Sequence, residues 1–540
     1  MNSTIQVNRS YRSDLLIAAA LFCSVLLLLL LELDAPGVTW DEALVNFAAA
    51  KNQAQWLSGL FTLERPFSRE TIDQYWFTTS DHPSLPRTLA AISYLLLSPI
   101  FDEIIALRIP SAVLFSILIA SIYLFLRRQF PVLSALAGAL ALLLMPRIFG
   151  HAHIFSLDVP IMCWWFWSAV VGYLALQGKV HPVLFGLTYA ITFTTKLHAV
   201  FLPFPFTAWV LFHFIRVAQN KRATLIQALK MLAWAAALTL ILYIALQPWL
   251  WHDTWTRIIE RFFDYAEKSG ARPIPLFYLG TIYHGNEPWH YPFVMLLFTL
   301  PLPILVFHLL GWFSPFFTKH TMSIVEEDLE HKQLHSLYIF SLLHFLTPLL
   351  LILLPLAQAY DGVRLFLPAF PFAALLAGMG FHWAYTLLLK KVHYRLALVL
   401  LYVFLTLPSL LAFLHVRPFY LSYYNELAGG VRGAAEIGME STYWCDALTK
   451  PFLDTINELV PDGSTMRPLS MPFELIEYYK QRGWLKESIN HTSEPPYDFH
   501  LLQSRQGMFT QAEMYFYYRK KPLAVVELDG VPLFALYGRM

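Results

Sequence analysis

The sequence predicts a polytopic α-helical membrane protein with a small external α/β domain at its C-terminal end. Of the 540 residues, 57% are hydrophobic and only 14% are charged, whereas soluble domains carry about 25% charged residues. Apolar runs long enough to cross a hydrocarbon core, which takes about 20 residues, recur as far as residue 415. Beyond residue 415 the composition becomes that of a soluble domain.

About eleven spans are predicted from the apolar runs and from the side on which Lys and Arg collect. They are residues 14–33, 109–126, 132–145, 159–176, 181–195, 197–215, 231–250, 291–312, 337–356, 365–389 and 396–415. Arg9 and Arg12 precede the first span, so we expect a cytoplasmic N-terminus. The first apolar run is too long for a cleavable signal and lacks a small-residue cleavage site, so we expect it to remain as a span.

This topology predicts a transmembrane domain, residues 1–415, and an external C-terminal domain, residues 416–540. The transmembrane domain would carry a first external loop at 34–108 and a long external loop at 251–290. The apolar run at 87–101 is short for a span and is typical of an interfacial or re-entrant helix. We therefore expect juxtamembrane helices on the external face.

The C-terminal domain contains both helical and strand patterns. Residues 454–459 and 473–482 favour helices, and two apolar runs on either side of Asp529-Gly530 favour a β-hairpin. The net charge of the chain is +1, which gives no support for a nucleic-acid partner. Its three cysteines have no metal-ligand spacing, so we expect no disulfide framework.

Acidic side chains stand at two predicted membrane boundaries. Asp41 and Glu42 follow the first span, where they can bind a cation, take a proton or complement a helix dipole. Asp158 opens an apolar span, where it either caps the helix or faces Asp41 across one cavity. Ionisable groups at this depth are costly and suggest a functional site.

Basic side chains occupy the same external side. Lys196 lies between two apolar segments and is either a snorkelling lysine or a cation over a lipid phosphate. Arg257 and Arg261 are four residues apart and share a helix face, and Arg272 follows in the same Trp-rich loop. This helix face is either solvated or binds a phosphate. The guanidinium of arginine is suited to phosphate because it can donate two parallel hydrogen bonds to it.

Histidines offer weak support for a metal site. His151 and His153, with His284 and His290, supply ligands of the right type, but no third firm ligand accompanies any pair. A divalent metal is therefore possible but unsupported, and no cofactor is predicted. The sequence contains no Walker, Rossmann or GxSxG pattern.

A series of short motifs follows in a characteristic order. They are Asp41-Glu42, His82-Pro83-Ser84-Leu85-Pro86, Ala106-Leu107-Arg108-Ile109-Pro110-Ser111, Arg127-Arg128-Gln129-Phe130, Ser156-Leu157-Asp158-Val159-Pro160, Thr195-Lys196, Pro288-Trp289-His290-Tyr291-Pro292, Tyr360-Asp361-Gly362-Val363-Arg364 and Ser422-Tyr423-Tyr424-Asn425-Glu426-Leu427-Ala428-Gly429-Gly430. This order resembles glycosyltransferase family 39 of the GT-C superfamily, which includes protein O-mannosyltransferases and bacterial aminoarabinose transferases of lipid A. The later motifs resemble an uncharacterised bacterial branch.

The resemblance implies a GT-C fold and an inverting transfer of a sugar from a polyprenyl-phosphate donor to a lipid, glycan or protein acceptor. The transfer would occur on the external face of the cell inner (plasma) membrane. Asp41 matches the family's general base or acceptor-orienting residue, and Glu42 and Asp158 are the other catalytic candidates. The candidates for binding the donor phosphate are Lys196, Arg261, Arg87, Arg272 and His284.

The chain departs from the family at two points. His82-Pro83-Ser84 stands where the aminoarabinose branch places Lys beside a Pro-Pro turn, which leaves Arg87 as a substitute. Nothing in the chain resembles the MIR domain of the protein O-mannosyltransferases. Two further functions stay open: a transporter or flippase of lipid-linked sugars, which typically shows inverted repeats that this sequence lacks, and a polymerase or ligase of lipid-linked glycans.

Overall fold

A computed structural model of the protein describes residues 11–77, 82–271, 274–285, 287–317, 327–354, 357 and 359–539. Within these ranges, eight helices are long and apolar enough to cross a membrane. The number rises to nine if one bent helix pair is counted as a single span. The predicted polytopic helical architecture is confirmed. Eight of the eleven predicted spans meet this test, and a ninth corresponds to the bent pair. The other two correspond to a 14-residue helix and to two consecutive helices broken at Pro301.

The helices before residue 416 are numbered in chain order. They are α1 (Tyr11–Leu30), α2 (Phe47–Gly59), α3 (Arg69–Trp76), α4 (Leu85–Leu97), α5 (Glu103–Leu126), α6 (Val132–Leu143), α7 (Pro146–Ala152), α8 (Asp158–Leu176), α9 (Pro182–Thr195), α10 (Pro203–Arg216), α11 (Lys221–Ala245), α12 (Thr254–Ala271), α13 (Tyr291–Thr299), α14 (Leu302–Phe317), α15 (Glu327–Leu351), α16 (Phe370–Leu388) and α17 (Tyr394–His415). A short hairpin, β1 (Leu276–Tyr278) and β2 (Thr281–Tyr283), follows α12.

The remainder of the chain builds a five-stranded mixed sheet with four short helices. The helices are α18 (Gly430–Glu436), α19 (Lys450–Leu459), α20 (Phe473–Gln481) and α21 (Gln511–Arg519), and the strands are β3 (Thr465–Leu469), β4 (Asn490–His491), β5 (Phe499–Gln503), β6 (Ala524–Leu528) and β7 (Val531–Gly538). The strand order is β4-β3-β5-β7-β6. The predicted hairpin is β6–β7, an antiparallel pair joined at Asp529-Gly530, both of which have positive φ.

Proline and glycine shape the membrane part. Pro146 opens α7 and stands at a 70° bend between α6 and α7, since proline cannot continue the preceding helix. Helices α14 and α16 approach so closely that a Cβ on Gly380 would lie 1.9 Å from the carbonyl oxygen of Phe307. Such contacts between small residues are typical of helix packing in membranes.

A buried ion pair fixes the chain between α1 and α2. Arg108 on α5 donates to both oxygens of Glu42, at 2.8 and 2.7 Å, and both side chains are fully buried. The same guanidinium also donates to the carbonyl oxygens of Leu33, Pro36 and Gly37, at 2.9 to 3.0 Å. Arg108 therefore holds the whole turn that leads to Asp41.

This arrangement predicts a large loss of stability for Arg108→Met. Removal of one partner of a buried pair leaves an uncompensated carboxylate, a loss of about 3–5 kcal/mol. We expect a clear fall in Tm of the purified protein in detergent. Arg432→Met is the matched control, because Arg432 and Glu436 form an exposed pair whose side chains are 74% and 67% accessible. Equal Tm values for the two variants would contradict this role of Arg108.

Candidate active site

One arginine joins three carboxylates at the external end of the predicted spans. Arg364 donates through Nε to Asp158 Oδ2 at 2.8 Å and through Nη1 to Asp361 Oδ2 at 2.9 Å. Its Nη2 donates to Asp41 Oδ2. The guanidinium carbon lies 4.2 Å from the centre of the Trp444 ring, so the aromatic face covers the cation. We call these four charged residues the Arg364 cluster.

Two further cations complete the charge balance. Lys196 donates through Nζ to Asp158 Oδ1 at 2.6 Å, and Arg505 donates through Nη2 to Asp361 Oδ1 at 2.7 Å. Three carboxylates thus face three cations. Because each buried charge has a partner of opposite sign, the cluster avoids the penalty of isolated buried ions.

Backbone breaks bring these side chains together. Asp158 is the first residue of α8, and Lys196 lies at the break between α9 and a 3₁₀ turn. Asp361 and Arg364 belong to the turn before α16, where Asp361 and Gly362 both have positive φ. Arg505 comes from the C-terminal part of the chain, just after β5. The site is therefore assembled from elements that are distant in sequence.

Asp41 is the accessible carboxylate of the cluster. Its side chain is 32% exposed, against 1% for Asp158 and 3% for Asp361. Despite this opening, desolvation by the surrounding protein raises the pKa of Asp41 above its usual 3.8, and the charges of Asp158 and Asp361 add to the rise, whereas Arg364 opposes it. A carboxylate with a raised pKa and an open face is suited to accept a proton.

The carboxylate of Glu42 is bound by other groups than those that bind Asp41. Besides the two bonds from Arg108, its carboxylate accepts from the backbone nitrogens of Thr39 and Phe155, each at 2.8 Å. These contacts occupy both oxygens inside the protein, so the two members of the predicted acidic pair have different surroundings. The local backbone accounts for these different surroundings, because a short π-helical turn, Glu42–Asn46, begins directly after Asp41.

Two arginines of the predicted donor site, Arg87 and Arg261, lie on α4 and α12, and Arg257 accompanies Arg261 on α12. Arg87 is buried and donates through Nε to Asn46 Oδ1 at 3.0 Å, while its Nη1 has no hydrogen-bond partner among the described residues. Arg261 donates to the hydroxyl of Tyr243 at 3.3 Å and stacks on Trp249. Arg257 stacks on the same ring.

The contacts of Arg257 separate it from Arg261. Arg257 is bound through both Nη atoms by Asp73, at 2.6 and 2.8 Å. Its guanidinium is therefore committed within the protein, whereas no ion pair is formed by Arg261 within the described ranges. The two arginines share one face of α12, as the sequence indicated, but Arg261 donates to the neutral side chains of Gln247 and Tyr243.

The remaining predicted residues have varied positions. His284 lies in an exposed turn after β2, and Arg272 falls outside the described residues. The rings of His82 and His198 lie 6.4 Å apart beside the cluster. Within the described ranges, no group of three or more His, Cys, Asp or Glu side chains could hold a metal ion.

Four residues of the site were given no catalytic or binding role from the sequence: Asp361, Arg364, Trp444 and Arg505. The motif Tyr360-Asp361-Gly362-Val363-Arg364 was visible in the sequence, and its Asp and Arg three residues apart gave a signal for the first pair. Trp444 and Arg505 carry no local signal, because only the folded chain brings them to the cluster.

Comparison with known proteins shows which folds this chain is similar to. The fold is similar to that of "ArnT from Cupriavidus metallidurans bound to Undecaprenyl phosphate", with a TM-score of 0.51 at 13% identity over 96% of this chain and 97% of that chain. AglB from Archaeoglobus fulgidus, an archaeal oligosaccharyltransferase in complex with an inhibitory peptide and a dolichol-phosphate, gives a TM-score of 0.49 at 13% identity over 88% and 64% of the two chains. No curated protein matches the sequence.

The fold and part of the sequence are thus similar to those of membrane glycosyltransferases. Residues 81–251 match the family model described as "Dolichyl-phosphate-mannose-protein mannosyltransferase". The resemblance to glycosyltransferase family 39 is thereby confirmed. This matched part includes Arg87, Asp158, Lys196 and the loop that leads to α12.

The turn that carries Asp361 and Arg364 predicts that Gly362→Ala is destabilising. Gly362 has φ +64°, and a Cβ there would lie 2.5 Å from Arg147 Nη1 and 3.0 Å from the Tyr443 ring. We expect this variant to have a lower Tm than Gly178→Ala. Gly178 has a similar φ of +70° but nothing within 4 Å of its Cβ position, so it isolates the backbone strain. Equal Tm values would show that the turn can move freely.

Proposed function

We propose that this protein transfers a sugar, with inversion, from a polyprenyl-phosphate donor to an acceptor on the external face of the inner membrane. The observation that carries the proposal is Asp41, a partly exposed carboxylate in a cluster that is otherwise buried and paired. The similarity to solved GT-C proteins bound to undecaprenyl phosphate and dolichol-phosphate supports the donor class. The acceptor is a lipid, a glycan or a protein.

In the proposed reaction Asp41 is the general base. The acceptor hydroxyl gives its proton to the Asp41 carboxylate as its oxygen bonds to the anomeric carbon. The bond between that carbon and the phosphate oxygen breaks on the opposite face, which inverts the configuration. The electron pair stays with the lipid phosphate, which leaves as a monoester.

Cations near Asp41 would stabilise the leaving phosphate. Arg87 is the strongest candidate, since its buried Nη1 has no partner among the residues that the structure describes and its charge acts on both Asp41 and Arg261. Lys196 has given one of its three donors to Asp158 and retains two for a phosphate oxygen. Fixed donors of this kind are effective because they require no rearrangement when charge develops.

The other two acidic candidates have contacts that support positioning roles. Glu42 holds the Asp41 turn through Arg108, and Asp158 aligns Arg364 with Lys196. The proposed topology keeps the N-terminus cytoplasmic and puts residues 416–540 outside as a separate domain. In that arrangement Arg505 is the contribution of the external domain to the site.

We expect Asp41→Asn to lower sugar transfer by at least about 100-fold, the usual effect of a lost general base. Purified protein in detergent is given a panel of polyprenyl-phosphate sugars, and release of polyprenyl phosphate is followed. Glu436→Gln, on an exposed pair, is the control. Release that depends on Asp41 supports the proposal and identifies the sugar. Donor release by Asp41→Asn at the control rate would disprove the assignment, and flipping of bound lipid without release would indicate a flippase.

The pH dependence of kcat/KM follows from the surroundings of Asp41. Because the base must be ionised, kcat/KM falls as the pH drops through the pKa of Asp41. This acidic limb of the pH profile lies above pH 3.8, because the pKa of Asp41 is raised. Arg364 lowers that pKa, so Arg364→Gln raises it and moves the acidic limb to higher pH. Arg432→Gln is the control. A limb that stays in place when Arg364 is replaced would exclude Asp41 as the titrating group.

A further inference from the structure

A groove lies between the end of α17 and the β6–β7 turn, where the membrane part meets the C-terminal sheet. It has a volume of about 670 Å³, and its walls include Leu411 and Leu414 of α17 and Leu528 and Asp529 of the hairpin. Sites for small molecules typically have volumes of about 300 to 1,000 Å³. The groove shares no lining residue with the Arg364 cluster, so the proposed transfer gives it no role.

One wall of the groove continues the apolar surface of α17. Val403, Leu407, Leu411 and Leu414 follow one another at helical spacing and are 49 to 59% exposed. We call these four residues the α17 stripe. Because α17 is long and apolar enough to cross a membrane, the stripe faces the acyl chains of the bilayer. Leu411 and Leu414 also line the groove, which is therefore continuous with the lipid-facing surface.

The opposite wall comes from the sequence motif Ser422–Gly430, to which the proposed transfer gives no role. Asn425 fixes this segment, since its Nδ2 donates to the carbonyl oxygens of Leu297 and Leu300 at 2.7 and 2.6 Å. Glu426 follows directly and lines the groove. A carboxylate is thus carried into the groove by a segment that is anchored on the membrane part.

A buried hydroxyl belongs to the same wall. Tyr423 lines the groove and is 2% exposed, and its hydroxyl has no hydrogen-bond partner among the described residues. Burial raises the pKa of this hydroxyl, and the charge of Glu426 adds to the rise, so the two groups lie near each other. A buried polar atom that is left unsatisfied is costly, and a ligand that bonded to the hydroxyl would remove that cost.

A second carboxylate comes from the C-terminal sheet. Asp529 Oδ1 lies 2.8 Å from Nε2 of His415 at the end of α17. The other oxygen, Oδ2, lies on the side of the motif, 4.0 Å from the position of a Cβ on Gly430. No Lys or Arg is among the groove's lining residues in the part of the chain that the structure describes. Two carboxylates without a fixed cation favour a ligand that carries a positive charge.

We propose that this groove binds a membrane lipid with an ammonium headgroup. The acyl chains would lie along the α17 stripe, and the ammonium would donate to the carboxylates of Glu426 and Asp529 and to the hydroxyl oxygen of Tyr423. An ammonium has three donors, one for each of these acceptors. The same carboxylates repel a lipid phosphate monoester, so this site is separate from that of the sugar donor and does not depend on the proposed transfer.

Lipid binding is measured on the full-length protein in detergent, freed of co-purified lipid and without a sugar donor. Tm is followed as phosphatidylethanolamine, phosphatidylcholine or phosphatidylglycerol with identical acyl chains is added. We expect saturable stabilisation that is strongest for phosphatidylethanolamine. Phosphatidylcholine carries the positive charge without N–H donors, and phosphatidylglycerol carries a net negative charge. We also expect that undecaprenyl phosphate does not displace phosphatidylethanolamine.

Two variants test the polar wall. We expect Glu426→Gln to bind phosphatidylethanolamine with about fivefold weaker apparent affinity, the effect of one partly exposed ion pair. Tyr423→Phe removes only the hydroxyl, so we expect weaker lipid binding without a lower Tm of the lipid-free protein. Glu458→Gln is the matched control, because Glu458 is an exposed carboxylate on α19 that does not line the groove.

Weaker binding in Glu426→Gln and Tyr423→Phe, with Glu458→Gln unchanged, would support the site. Equal stabilisation by the three lipids would indicate surrounding bilayer lipid only and would overturn the proposal. An unchanged affinity in Glu426→Gln or Tyr423→Phe would do the same, as would displacement by undecaprenyl phosphate, which would assign the groove to the donor. Since no sugar is transferred, failure here leaves the transferase proposal intact, and loss of transfer in Asp41→Asn leaves the lipid measurement intact.

Discussion

The guanidinium of Arg364 is the contact on which the proposed chemistry depends. It spans Asp41, in the segment after α1, and Asp158, the first residue of α8, and it holds Asp361 on its own turn. The planar guanidinium has five donors in fixed directions, which hold three carboxylates in one arrangement, whereas the ammonium of a lysine is a rotatable point charge. The contact that stabilises the buried carboxylates of Asp158 and Asp361 also keeps the accessible carboxylate of Asp41 in place.

The cluster illustrates a conflict between stability and function. Carboxylates at a membrane boundary are unfavourable, and an apolar core would fold more easily there. The chain resolves the conflict by pairing: Glu42 with Arg108, Asp158 with Lys196 and Arg364, and Asp361 with Arg505. Arg87 is a buried arginine whose Nη1 has no hydrogen-bond partner in the described structure. Buried charged groups that lack a full set of partners are where a functional site is expected.

Local patterns in the sequence predicted much of the fold. Apolar runs marked the spans, Asp529-Gly530 marked the β6–β7 turn, and Asp41 and Lys196 marked the site, because each signal lies within a few neighbouring residues. The break at Pro301 was missed, since the run at 291–312 is continuously apolar on both sides of the proline. Arg505 was missed for a different reason: its partner Asp361 is 144 positions away, and nothing near either residue indicates the pairing.

The position of Arg505 in the chain has a consequence for biosynthesis. During translation and membrane insertion, Asp41, Asp158, Lys196 and Arg364 are all made before the strand that precedes Arg505. Until that strand joins the sheet, Asp361 lacks one of its two cations and the cluster carries an excess of negative charge. The cluster reaches its charge balance only when the C-terminal sheet has folded, which couples maturation of the site to the folding of that sheet.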